Sequence, residues 1–253
     1  MNTLIAAILR YRQFRHLGPM RPGDIARTSA EPELFLLGDL IDPNKAFFDV
    51  GANVGAYVYA ASAHLPLSRI YAFEPQAQYV SQLKQLFPGA HIAQAALSSR
   101  AGEARFKVPT IRGREYPTRG TLEDFKEDGE EAAQVETVAT LTLDEAKAAA
   151  HCGPVGCIKI DVEGHEKDVL LGAQKTLAED RPALIVEIEQ RHHTEPIEDI
   201  FAWILARGYE GSFWDRASQV LRPLSDFSAG HNQRPEDFKS PSYVNNFIFT
   251  PHG

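Results

Sequence analysis

The stretch Asp49-Val50-Gly51-Ala52-Asn53-Val54-Gly55 is the part of this 253-residue chain best suited to chemistry. A short apolar run, Ala46 to Val50, leads into it, and an Ala- and Tyr-rich segment follows. Glycines at a strand-to-helix turn let the backbone bend sharply and approach a ligand closely. The free N–H groups that open the next helix can hold a polar or anionic group. About 20 residues on, at the end of the next apolar run, stands Glu74; in nucleotide-binding sheets an acid at this place accepts hydrogen bonds from ribose hydroxyls. Turn and acid together point to an adenosine-containing ligand. The turn is not GxGxxG, because Asn53 stands at the place of the second glycine, and no GxxxxGK phosphate loop is present.

A second constellation follows the later apolar run Val155 to Val162. Asp161, Glu163 and His165 lie within five residues, and carboxylates with an imidazole suit removal of a proton. If strand alternation continued past Asp161, Asp161 and Glu163 would share a face. The plainer reading keeps Glu163 or Glu166 as acids favouring a helix N-terminus and His165 as an ordinary helix-start residue. Asp161, Glu163, Glu187, Glu189, His192 and His193 could also be assembled into a metal site. Their spacing does not fix one, and no metal is expected.

These residues need elements to position them. Apolar runs that read as strands occur at 46–50, 69–74, 91–97, 155–162, 182–189, 211–215 and 246–250, with helical segments at 54–64, 76–87, 166–177 and 198–207. Alternation of this kind means a parallel sheet with helices on both faces. Ligands then bind at the carboxyl ends of the strands, where all the residues above fall. The order is interrupted at 98–141. That insertion carries Arg112, Arg114 and Arg119, then a strongly acidic run from Glu123 to Glu136. It reads as a solvated surface insertion or as a lid whose arginines meet an anionic or sugar substrate.

Composition excludes whole classes. Hydrophobic residues make up 43% and charged residues 24%, which is ordinary for a globular domain and unlike a disordered chain. The formal net charge of −8 argues against a nonspecific nucleic-acid binder. No apolar run is long enough for a transmembrane segment. The Leu4–Leu9 run, followed by Arg10, Arg12 and Arg15, lacks signal-peptide flanks and reads as a helix packed on its own domain. Cys152 and Cys157 have neither CxxC nor zinc spacing, and read as reduced thiols in a cytoplasmic protein. Trp203, Phe201 and Phe213 read as core rather than as a sugar platform.

DVGANVG at 49–55, AFEP at 72–75 and AAL at 95–97 together resemble the cofactor site of class I S-adenosylmethionine-dependent methyltransferases. IKIDVEGHE at 158–166, with VLLGA at 169–173 and Arg181-Pro182 before IVEIE, resembles the FkbM family specifically. The resemblance implies an α/β, Rossmann-like class I methyltransferase fold: a mostly parallel seven-stranded sheet with an antiparallel last strand and helices on both faces. The chain is expected to be a single domain over 1–253, with an N-terminal helical cap at 1–44 and the 98–141 insertion, which matches no motif of the family, choosing the acceptor. The resemblance covers about residues 45–250. It implies S-adenosyl-L-methionine as cofactor and O-methylation of a hydroxyl on a sugar, glycolipid or polyketide-type small molecule. Asp49, Gly51, Asn53 and Gly55 would line the methionine end and Glu74 would hold the ribose, with Ala52, Pro75, Ala96 and Asp161 completing the set. Asp161 or Glu163 would sit near the transferred methyl, with His165 the further candidate base. Two alternatives stand beside this reading: a nicotinamide-dependent oxidoreductase, and a non-catalytic binding module on the same fold.

Overall fold

Strands β1 (Ala46–Val50) and β2 (Ile70–Phe73) are buried at every residue, as unbroken apolar runs in a sheet covered on both faces should be. The computed structural model describes residues 3–17, 30–238, 240 and 242–252. The remaining strands are β3 (His91–Ala93), β4 (Ala96–Leu97), β5 (Gly102–Ile111), β6 (Arg114–Glu115), β7 (Glu130–Leu141), β8 (Val155–Ile160), β9 (Ala183–Glu187), β10 (Tyr209–Asp215), β11 (Val220–Pro223) and β12 (Asn246–Pro251).

The main sheet has eight strands in the order β11-β10-β12-β9-β8-β1-β2-β3. β1 pairs in parallel with β2 on one side and β8 on the other. The strand order therefore reverses at β1, the place where such sheets open a ligand crevice. β12, last in the chain, runs antiparallel between β9 and β10, as expected. The expected count of seven is corrected to eight. β10 turns back through residues 216–219 into β11, whose residues are all exposed and carry no apolar-run signal.

The run at 91–97 is two strands, not one. β3 joins the main sheet, whereas β4 opens a second sheet of order β4-β7-β5-β6. That second sheet is the 98–141 insertion: β5 and β7 form a long antiparallel pair, and Phe106 and Val138 pack with Ala96 beneath it.

Among the described residues there are nine α-helices: α1 (Thr3–Phe14), α2 (Glu33–Leu40), α3 (Ala56–Ala61), α4 (Ala77–Leu86), α5 (Leu143–Ala150), α6 (Glu166–Leu171), α7 (Gln174–Glu179), α8 (Glu198–Leu205) and the single turn α9 (Ala229–Asn232). Thr142 caps α5 in a capping box with Glu145. The single helix expected over 166–177 is broken at Gly172-Ala173, where the Gly172 carbonyl accepts from the Asp144 N–H. α1 packs on its own domain: Phe14 stacks on Tyr59 at 4.6 Å, and Arg10 Nη1 donates to the Leu86 carbonyl at 2.7 Å. Residues 18–29 of the expected N-terminal cap lie outside the described residues. Among the described residues no helix is long and apolar enough to cross a membrane.

Candidate functional site

The ends of β1, β2 and β8 form the floor of a cleft of about 550 Å³. Gly51, Asn53, Glu74, Pro75, Ala96, Asp161, Glu163 and His165 all line it. Phe106, Pro117, Thr118 and Leu122 of the insertion form the facing wall. Three other residues named with the glycine turn do not line the cleft. Asp49 is buried at the end of β1. Ala52 is buried and donates its N–H to the Phe73 carbonyl at 3.1 Å. Gly55, with φ +89, opens α3 and faces Leu83 and Phe87.

The turn takes its path from close backbone packing. A Cβ on Gly51 would lie 1.8 Å from the Asp161 carbonyl oxygen, and Gly51 has φ +81. Only glycine satisfies both. The turn then swings the Asn53 N–H onto Glu74 Oε2 at 2.9 Å, while the Gln76 N–H donates to Glu74 Oε1 at 2.9 Å. Glu74 is thus held by backbone from both sides, with lone pairs left on each oxygen. Burial pushes its carboxyl up to about 7. Burial, aided by the negative charge of Asp161, pushes Asp49 up to about 8 despite Lys159. Asp49 Oδ2 and Asn53 Oδ1 are buried without a hydrogen-bond partner.

Lys159 is the cation beneath this cleft. It sits in β8, wholly buried, and Nζ donates to Asn246 Oδ1 at 2.8 Å. Asp161 Oδ2 lies 3.8 Å from it and Glu187 Oε2 3.9 Å, and the Tyr57 ring lies 5.0 Å away. Burial alone would lower the lysine, but the charges of Asp161, Glu31, Glu187 and Glu33 outweigh it, and Lys159 stays raised. Burial raises Asp161 and Glu187 in turn. One lysine faces more carboxylates than it can neutralise, so the floor of the cleft favours a further positive charge.

Past Ile160 the strand ends, so Asp161 and Glu163 are not related by strand alternation. Glu163 has φ +50 and Gly164 φ +97, a left-handed pair uncommon for glutamate. The Thr121 hydroxyl holds it by donating to the Glu163 carbonyl at 2.6 Å. His165 begins α6 with both ring nitrogens engaged: Nε2 meets Ser98 Oγ at 2.9 Å and Nδ1 meets Glu123 Oε1 at 2.5 Å. The imidazole ties the insertion to the end of β4. Of the insertion's arginines, Arg112 and Arg114 are exposed. Arg119 lies 3.4 Å from Glu127, a buried member of the acidic run.

Sequence reasoning passed over Lys159, although a lysine inside VGCIKI was a usable signal, since a buried charge needs partners. It also passed over Glu31, whose Oε2 accepts from Tyr57 at 2.7 Å, and Ser98. Neither carried a local signal, because their partners are distant in the chain.

Residues 49–210 match the family model of the methyltransferase FkbM domain. Among curated proteins, the hexuronic acid methyltransferase AglP of Haloferax volcanii is 27% identical over 149 residues, covering 56% of this chain and 55% of AglP. The match thus spans about half the length of that relative. Among solved structures, methyltransferase FkbM from Methylobacillus flagellatus KT aligns at a TM-score of 0.50 and 12% identity, over 94% of this chain and 60% of that one. This likeness speaks to the fold.

Proposed function

The chain belongs to the FkbM methyltransferase family, and from that premise we propose that its cleft binds S-adenosylmethionine and transfers the methyl to an oxygen of a sugar-type acceptor. One observation carries the reading: the Gly51–Asn53 turn, Glu74 and the Asp161–Glu163 loop meet in a single cleft at the strand-order reversal. Family membership places the chain among methyltransferases rather than nicotinamide oxidoreductases.

The residues present fit the cofactor. Glu74 has lone pairs to spare for two ribose hydroxyls. Ala96 and Pro75 offer an apolar surface for a base. The partnerless Asn53 Oδ1 suits a donor, and the surplus of carboxylates suits a cation. When bound, S-adenosylmethionine supplies an electrophilic methyl on a sulfonium with a good leaving group. The chain's part is alignment of the acceptor, which can supply about 7–11 kcal/mol, and removal of its proton, typically about 10²–10⁴-fold.

Glu163 is our choice of base. It lines the cleft, and burial with the charge of Asp161 raises its carboxyl well above the usual range, which makes it a stronger proton acceptor. His165, held by Ser98 and Glu123, is a positioning residue that keeps the insertion over the cleft. Because a relative is a hexuronic acid methyltransferase, hexuronic acids are the first acceptors to try. The test incubates the protein with S-adenosylmethionine and a panel of uronic acids, neutral sugars and amino sugars, and reads a one-methyl gain by mass spectrometry. Alkali removes a methyl ester and leaves an ether, which tells carboxyl from hydroxyl transfer. Methylation confined to nitrogen acceptors would overturn the O-transfer reading.

A further inference from the structure

Three side chains from three parts of the chain converge at one edge of the cleft. Glu127 comes from the insertion, Glu163 from the loop after β8, and His192 from the turn after β9. One ligand atom of each lies within 4.8 Å of the others. His192 Nε2 stands 3.4 Å from Glu127 Oε1 and 3.3 Å from Glu163 Oε2. The ring is 3% exposed, and Nε2 has no hydrogen-bond partner in proper geometry. The imidazole is fixed by stacking on Phe125 at 4.8 Å and by its backbone N–H, which donates to the Glu189 carbonyl at 3.0 Å. Nε2 is thus buried between two carboxylate oxygens without a hydrogen bond to either. A cation between the three atoms would take a bond from each of them.

The spacing fits such an ion. Bonds of about 2.0–2.2 Å place neighbouring ligands on one metal about 3–3.5 Å apart. We propose that Glu127 Oε1, Glu163 Oε2 and His192 Nε2 bind a divalent cation of the borderline class, Mn²⁺ or Zn²⁺, at the acceptor edge of the cleft. One imidazole with two carboxylates suits these ions better than Ca²⁺, which takes six or more oxygens. The surrounding charge allows it. Arg191 Nη1 lies 2.8 Å from Glu127 Oε2 and donates to Glu127 Oε1 at 3.1 Å. Arg191 Nη2 lies 2.9 Å from Glu189 Oε1 and 3.7 Å from Glu163 Oε2, and Arg119 Nη1 lies 3.4 Å from Glu127 Oε2. An ion would share the Glu127 and Glu163 carboxylates with Arg191. Three carboxylates thus face two guanidiniums, and Asp161 adds a further negative charge beside Glu163. The other cluster of suitable types, Glu123, His165 and Asp168, has no free imidazole nitrogen, since both are already bonded.

Glu163 lines the cleft; with Oε2 on the ion, its Oε1 would remain to take the acceptor proton, and an acceptor hydroxyl bound to the ion would have a lowered pKa. That role rests on the proposed transferase reading; the binding of the ion does not.

The test uses the full chain stripped with EDTA and titrated with Mn²⁺, with free Mn²⁺ read by electron paramagnetic resonance and Zn²⁺ used in competition. The wild type is expected to take up a single Mn²⁺ that Zn²⁺ displaces. His192→Gln and Glu163→Gln are each expected to weaken uptake by about tenfold or more, while Asp168→Asn in the second cluster leaves it unchanged. Circular dichroism checks that each variant folds. Where one does not fold, broadening of the His192 ring resonance by Mn²⁺ in the wild type gives the same answer. No uptake by the wild type, or uptake insensitive to both His192→Gln and Glu163→Gln, overturns the proposal. S-adenosylhomocysteine titrated into the stripped protein reads the cofactor site separately.

Discussion

The carbonyl oxygen of Asp161 occupies the space that a Cβ on Gly51 would need, only 1.8 Å away. The two strand ends that floor the cleft therefore touch backbone to backbone. Gly51→Ala must bend the turn away from Asp161 and hold alanine at positive φ, which alone costs about 1–3 kcal/mol. The expected outcome is a lower unfolding midpoint and loss of S-adenosylhomocysteine binding. Thermal melts with and without that ligand check it. An unchanged melt would mean that the turn yields without strain.

Glu74 joins both halves of the cofactor wall through the N–H groups of Asn53 and Gln76. Losing a charged acceptor costs about 1.5–3 kcal/mol, so Glu74→Ala should weaken S-adenosylhomocysteine binding about tenfold or more. Glu74→Gln keeps one acceptor oxygen and should fall between. Calorimetric titration of the three proteins gives the order.

Lys159 opposes Asp161, Glu187, Glu31 and Glu33 from inside the fold. Removing one side of a buried charge pair costs about 3–5 kcal/mol, so Lys159→Met should be strongly destabilised. The stranded carboxylates can take up protons at low pH, so the deficit should shrink as pH falls. Urea unfolding at about pH 5 and about pH 8 tests both the size and the sign of the effect.

Asp49 and Glu74 contribute to the pH dependence of the protein without ligand, alongside Glu33, which burial also pushes up to about 7. Burial raises Asp49 from 3.8 to about 8 and Glu74 from 4.5 to about 7. The folded state thus binds more protons than the unfolded one between those limits. The contribution to stability is complete below the unfolded values and is lost as pH rises through the folded ones. A bound cation favours the ionised forms. Affinity for S-adenosylmethionine should therefore rise between about pH 6 and about pH 8, with proton release on binding. Titrations in two buffers of different ionisation enthalpy measure that release.

Much of the fold was legible because β1, β2, β8 and β9 are continuous apolar runs, which a sheet buried on both faces demands. The turn and Glu74 were legible because the strand-to-helix connection is local. β11 was not, since all four of its residues are exposed and only its pairing with β10 makes it a strand. The split of 91–97 was hidden as well, because β3 and β4 are both short and differ only in the sheet they join. The acidic run at 123–136 concealed Glu127. Its burial depends on Arg191 and His192, more than 60 residues further on. Asp161 and Glu163 were found by motif, whereas their relation follows from left-handed backbone at Glu163 that no alternation rule foresees.

The central claim is that the cleft between the glycine turn and the insertion holds S-adenosylmethionine through Glu74. Its most direct test is calorimetric titration of the purified protein with S-adenosylmethionine, S-adenosylhomocysteine and NAD, repeated on Glu74→Ala. The account predicts binding of both adenosyl ligands, a loss of about tenfold or more in the variant, and no heat from NAD. Binding of NAD alone, or adenosyl binding that Glu74→Ala leaves intact, would contradict it.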